Sequence, residues 1–175
     1  MKRMLLAALV VSTFSTTMVA CDDDDDLPTD DGDEQFAANL SASAEIPTPT
    51  GSPTATGSAS LDLDDNVLRV TVAVTGNLTS NVTMAHIHGP ATTSQTANIV
   101  LDFVPSMASV ISAGTRTGTI VNASFDLNNL TVSSSGVLRV TPTDLIDMLN
   151  TGQAYVNVHT VTNPSGEIRG QVTRD

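Results

Sequence analysis

The sequence predicts an all-β domain, and three observations carry that prediction. Short alternating segments recur from Gln35 onward, such as Leu68, Val70, Val72 and Val74 interleaved with Arg69, Thr71 and Thr75. Clusters of Asp, Asn, Gly, Ser and Pro separate them at short intervals. Tryptophan is absent and aromatics make up 3% of the chain, so the core must be assembled from Val, Leu, Ile, Ala and Thr. About seven to nine short antiparallel strands of this kind build a sandwich or a barrel. A length of 175 residues suits one such domain once the ends are set aside.

Residues 1–20 read as an export signal, with Lys2 and Arg3 ahead of a short apolar run from Met4 to Val11. Eight apolar residues fall well short of the roughly 20 that a membrane-spanning helix needs. Met18-Val19-Ala20-Cys21 resembles a bacterial lipobox, departing from it at Met18. That resemblance implies cleavage before Cys21 and its lipidation, and several acyl chains anchor a soluble domain stably. Residues 21–34 then form an acidic tether, since charges this dense repel and extend. Acidic runs after a lipidated cysteine resemble surface-export signals, while Asp22 alone also resembles an inner-membrane retention signal. The expectation is an exported protein held at the envelope, with the outer membrane or cell surface favoured.

From Gln35 the texture changes. Phe36 to Leu40 opens the domain, Ser41 to Thr56 is a long loop, and Ser58 to Leu63 alternates. Asp64-Asp65-Asn66 turns the chain into the Leu68–Val74 strand, the clearest hairpin signal present. A strand follows over residues 82–89, then a polar loop from Ala91 to Ala97 and a strand from Asn98 to Val104. Pro105 to Thr117 reads as irregular, Gly118 to Phe125 as a strand, and residues 126–140 as ambiguous. One short helix is expected over residues 142–150. Thr141 can cap it, Pro142 suits its first turn, Asp144 its positive end and Gly152 its stop.

The last hairpin sets Gln153–Thr160 against Gly166–Thr173 across a loop containing Asn163-Pro164. Pairing Thr160 with Gly166 places His159 opposite Glu167, Asn157 opposite Arg169 and Tyr155 opposite Gln171. The same register puts Ile168 and Val172 with Val156 and Val158, and a slip of one residue would destroy that agreement.

The three histidines of the chain all lie in two of these strands. His86 and His88 share one face with Met84, and Ala85 and Ile87 take the other. His159 shares a face with Tyr155 and Asn157. Two imidazoles two apart on a strand, plus a third from elsewhere, form a ligand set suited to a mononuclear zinc or copper site. Glu167 would then orient His159 from behind. The alternative is a polar cluster in which His159–Glu167 and Asn157–Arg169 are cross-strand pairs that fix register. A third reading is catalysis at such a metal.

Taken in order, Phe36-Ala-Ala-Asn-Leu-Ser-Ala-Ser-Ala-Glu45-Ile-Pro47, Gly57-x-Ala59, Ala85-His-Ile-His-Gly-Pro90, Tyr155-Val-Asn-Val-His-Thr160 and Gly166-Glu-Ile-Arg-Gly-Gln171 resemble the CHRD domain. The resemblance covers roughly residues 35–173 and so makes 35–175 the folded domain. It implies an Ig-like or Greek-key β fold. The family takes its name from chordin, whose context is the binding of growth-factor ligands, and no enzymatic activity defines it.

Composition and missing motifs narrow the function further. The formal charge is −12, but Asp22 to Glu34 hold nine of the 19 acids, leaving ten acids against five arginines beyond them. Such a domain offers no clustered cations for nucleic acid. A single cysteine forms no intrachain disulfide, and no Gly-x-Ser-x-Gly, phosphate loop or dinucleotide fingerprint is present. Asn-x-Ser/Thr matches at Asn77, Asn81, Asn122 and Asn129 carry no weight in a bacterial lipoprotein. The expected role is a non-enzymatic binding or structural module, partnered by the membrane through Cys21 and by an extracellular protein. Metal binding through His86, His88 and His159 is the runner-up.

Overall fold

Phe36, Ala38 and Leu40 alternate with neighbours that stay at least partly exposed, and this period of two makes Glu34–Ser41 the first strand, β1. The structure, a computed structural model, describes residues 33–51 and 53–175. The export signal, Cys21 and the tether up to residue 32 lie outside the described residues. β2 (Thr56–Asp64) pairs with β1 from Glu34↔Leu63 to Ser41↔Thr56. Asp65 and Asn66 then take φ values of 48° and 64°, the two left-handed positions that a tight I′ hairpin requires. They lead into β3 (Val67–Thr75), which pairs with β2 along its whole length.

β4 (Val82–His88) and β5 (Ile99–Asp102) follow, then a short helix, α1 (Ala108–Ser112), inside the segment expected to be irregular. β6 (Gly118–Asp126) returns to pair with β3. Residues 127–140 add only isolated bridges, Leu101↔Leu138 and Val132↔Leu138. The expected helix is α2 (Pro142–Asn150), capped by Thr141, whose Oγ1 accepts from the Asp144 amide at 3.1 Å. Its Leu145 and Leu149 are buried. β7 (Tyr155–Thr160), β8 (Ile168–Gln171) and the short β9 (Thr173–Arg174) complete the domain.

The result is one antiparallel sheet, ordered β5-β4-β7-β8-β1-β2-β3-β6 with β9 beside β1. It curls into a half-barrel, so a single continuous sheet takes the place of two stacked ones. The inner face is apolar: Leu61, Leu68, Val72, Ile87, Val156, Val158 and Ile168 are all fully buried there. Phe103 and Phe125 meet at 5.6 Å between ring centres, packing the β5 end against the β6 end. The β7–β8 register is Tyr155↔Gln171, Asn157↔Arg169 and Val158↔Ile168, as the alternation demanded. Among the described residues no helix is long and apolar enough to cross a membrane.

Candidate metal centre

Alternation along β4 and β7 sends Ala85, Ile87, Val156 and Val158 into the core and the histidines to the opposite face. That face is largely shielded from water, with Met84 and His88 half-buried. Every residue of β7 is buried, including Tyr155, Asn157 and His159. Its cover is the polar loop after β4, which the outer-face side chains hold by its backbone. Arg169 donates to the carbonyls of Gln95 (2.8 Å) and Thr92 (3.0 Å), and Gln171 donates to that of Ala91 (2.8 Å). Tyr155 accepts from the Ala97 amide at 3.2 Å. The Arg169 guanidinium also lies 3.5 Å from the centre of the Tyr155 ring, and that ring stacks on His88 at 4.8 Å. Asn157 and Arg169 are thus backbone partners whose side chains go elsewhere, Arg169 to Tyr155 and the loop, Asn157 to Glu45.

Within this enclosure the three imidazoles meet. One nitrogen from each lies within 4.8 Å of those of the other two. Neighbouring groups decide where the ring protons sit. His88 Nδ1 is 3.0 Å from the Ala97 carbonyl, and His159 Nδ1 is 3.0 Å from the Pro164 carbonyl. A carbonyl can only accept, so both Nδ1 atoms carry a proton, and the neutral rings present Nε2 lone pairs. His159 Nε2 lies 3.1 Å from His86 Nδ1. His88 Nε2 is buried with no hydrogen-bond partner. On its other side His86 Nε2 is 3.5 Å from an Asp102 carboxylate oxygen.

Burial keeps all three rings neutral. It pushes the pKa of His86 down to about 3, with the nearby His159, His88 and Arg139 adding to the effect. It takes His88 down to about 4, even though the Ala97 carbonyl favours the charged ring. His159 is lowered for the same reason and is partly supported by Pro164. Neutral imidazole is the form that binds metals.

Glu167 departs from its expected place behind His159. Its carboxylate accepts from the Thr79 amide and hydroxyl, the Thr160 hydroxyl and the Asn163 amide, at 2.5 to 3.0 Å. Burial alone would raise its pKa, but these hydrogen bonds outweigh that and lower it. Glu167 therefore ties two loops together and leaves His159 to the Pro164 carbonyl. The switch is local: after Thr160 the loop folds back, and the hydroxyl captures the carboxylate.

Four residues outside the expected set complete the surroundings. Asp102 is the register partner of His86, and its other oxygen takes a 3.0 Å ion pair from Arg139. Glu45 is buried and accepts from Asn157 at 2.7 Å, and burial raises its pKa to about 7. Gly166, at φ 128°, makes room for that contact, because a Cβ there would run into the Glu45 carboxylate and lie 2.6 Å from Asn157 Nδ2. Beside His88 a pocket of about 610 Å³ opens, walled by Ile99, Val100, Val140 and Arg139.

A family model for the CHRD domain matches residues 36–172. The chain belongs to the CHRD family. No curated protein and no solved structure gives a significant match. The CHRD assignment supports a binding or structural module, and the histidines sit on residues 85–90 and 155–160, both within the matched span.

Proposed function

We propose that this CHRD domain is a binding module whose ligand is a transition-metal ion held by His86, His88 and His159. The observation that carries the reading is the buried, unpartnered Nε2 of His88, set among two other imidazoles, of which His159 directs its proton away to the Pro164 carbonyl. Leaving such an acceptor unpaired costs about 1–3 kcal/mol, which a metal bond would recover. Ligating histidines usually donate their second N–H to a carbonyl or carboxylate, and Ala97, Pro164 and Asp102 supply those acceptors here.

Without a metal, His86 Nδ1–H can donate to His159 Nε2. With one, the His86 proton would sit on Nε2, facing Asp102, and free Nδ1 for the ion. Zn–N bonds of about 2.0–2.1 Å put tetrahedral nitrogens roughly 3.3 Å apart, so the 3.1 Å pair is already near its final spacing. Three neutral imidazoles suit zinc or copper. The reading is of a holder, with no chemical step assigned to it. We place it at the envelope, exported and anchored through lipidated Cys21 on the acidic tether.

The test is calorimetric titration of zinc and copper into the chain carrying Cys21→Ser, which removes the thiol as a competitor. One ion should bind with sub-micromolar affinity, and His88→Ala should weaken it at least 100-fold. Equal binding by wild type and His88→Ala would refute the reading and leave the histidines as hydrogen-bonding groups of the sheet.

A further inference from the structure

We infer that the pocket beside His88 holds a small anion as the fourth ligand of the metal, with Arg139 as its charge partner. The inference rests on the three-histidine reading and begins from its charge. Three neutral ligands leave a divalent ion with its full charge in a largely buried place, and buried charge requires compensation. Asp102 touches His86, but its other oxygen is already engaged by Arg139 at 3.0 Å. Among the described residues Asp102 is the one carboxylate paired with a histidine of the cluster, and a bound anion would supply the remaining charge.

The pocket offers a place for it. Ile99 reaches its wall because β5 bulges between the Ile87↔Leu101 and His88↔Ile99 pairs, which turns Ile99 toward the His88 side. Val100 and Val140 give the pocket an apolar wall, and Asn98 and Ser134 add polar wall beside Arg139. Arg139 is fixed at two points: Nε donates to the Gly136 carbonyl at 3.2 Å and Nη2 to Asp102. Its Nη1 has no hydrogen-bond partner among the described residues and remains available as a donor. A planar guanidinium held in this way favours carboxylates and other small oxyanions. The volume, about 610 Å³, admits a ligand the size of a short organic acid.

The experiment uses the chain loaded with cobalt(II), whose visible spectrum reports its coordination, and titrates acetate and azide as probes. Saturable spectral change at millimolar anion or below is expected, with the apparent Kd raised at least tenfold in Arg139→Gln and less in Arg139→Lys. Cobalt stoichiometry should be the same in all three, and Arg69→Gln should match wild type. A cobalt-loaded protein whose spectrum ignores both anions would overturn the inference while sparing the metal site. So would equal anion affinity in Arg139→Gln, or equally tight anion binding by the metal-free chain. Failure to bind cobalt at all would remove both readings together.

Discussion

β3 and β7 are built on the same alternation and end in opposite surroundings. In β3 the even-numbered Leu68, Val70, Val72 and Val74 are buried while Arg69 and Thr71 face solvent. In β7 all six residues are buried, Val156 and Val158 in the apolar core and Tyr155, Asn157 and His159 on the covered polar face. Alternation fixes which face a side chain takes, and the loops decide whether that face is wet. A polar face that is covered must satisfy every donor and acceptor inside. The β7 half satisfies most of them with Arg169, Glu167 and backbone carbonyls, and leaves His88 Nε2, Asn157 Oδ1 and Gln171 Oε1 without a partner.

Matched substitutions in the two halves should break the symmetry of that comparison. Arg169 and Arg69 both sit on strands, one 1% exposed and one on the solvent face. Arg169→Ala strands two loop carbonyls and opens a cavity beside Tyr155, and should cost about 3–5 kcal/mol in urea unfolding. Arg69→Ala removes only an exposed 3.4 Å pair with Asp64 and should stay within about 0.5 kcal/mol. Equal effects would show that the loop does not seal the polar face.

The carboxylates give a second, smaller contrast. Glu167→Gln turns an acceptor-only group into one whose amide confronts four donors, so about 2–3 kcal/mol should be lost. Asp62→Asn on β2 should be nearly neutral. Glu45 is opposite in sign to Glu167. Its folded pKa of about 7 lies above the usual 4.5, so its contribution is full below pH 4.5 and is lost as pH rises through 7. Glu45→Gln should therefore gain on wild type between pH 5 and pH 8 in the metal-free protein, where the histidine contributions cancel in the difference. A gap that stays constant over that range would place the Glu45 carboxyl in water.

Smallest of all, Thr141→Ala should cost about 1 kcal/mol by uncapping α2, and because its hydroxyl bonds only Asp144 among the described residues it should leave metal affinity unchanged.

Much of this arrangement could be read from residue order. Val156, Val158, Ile168 and Val172 allow one register, and the β7–β8 pairing follows it. The side-chain outcome was less legible. Glu167 was expected to face His159 because alternation carries no information about a bend, and the loop from Val161 to Ser165 redirects the carboxylate to Thr79 and Thr160. Asp102 depends on the pairing of β4 with β5, which is bulged and follows a polar loop. Arg139 comes from a segment with no periodicity. Glu45 meets Asn157 across 112 residues, a contact that only the assembled sheet creates. α1 spans five residues without a side-chain cap, too short for a helical pattern to show.

The central claim is that His86, His88 and His159 hold one metal ion. X-ray absorption at the zinc edge of the one-to-one complex tests it most directly. The account predicts three imidazole nitrogens at about 2.0–2.1 Å, with the multiple-scattering signature of histidine rings, and one further light atom. A shell of oxygen atoms alone, unchanged in His86→Ala, would place the ion on carboxylates such as those of the acidic tether and contradict it.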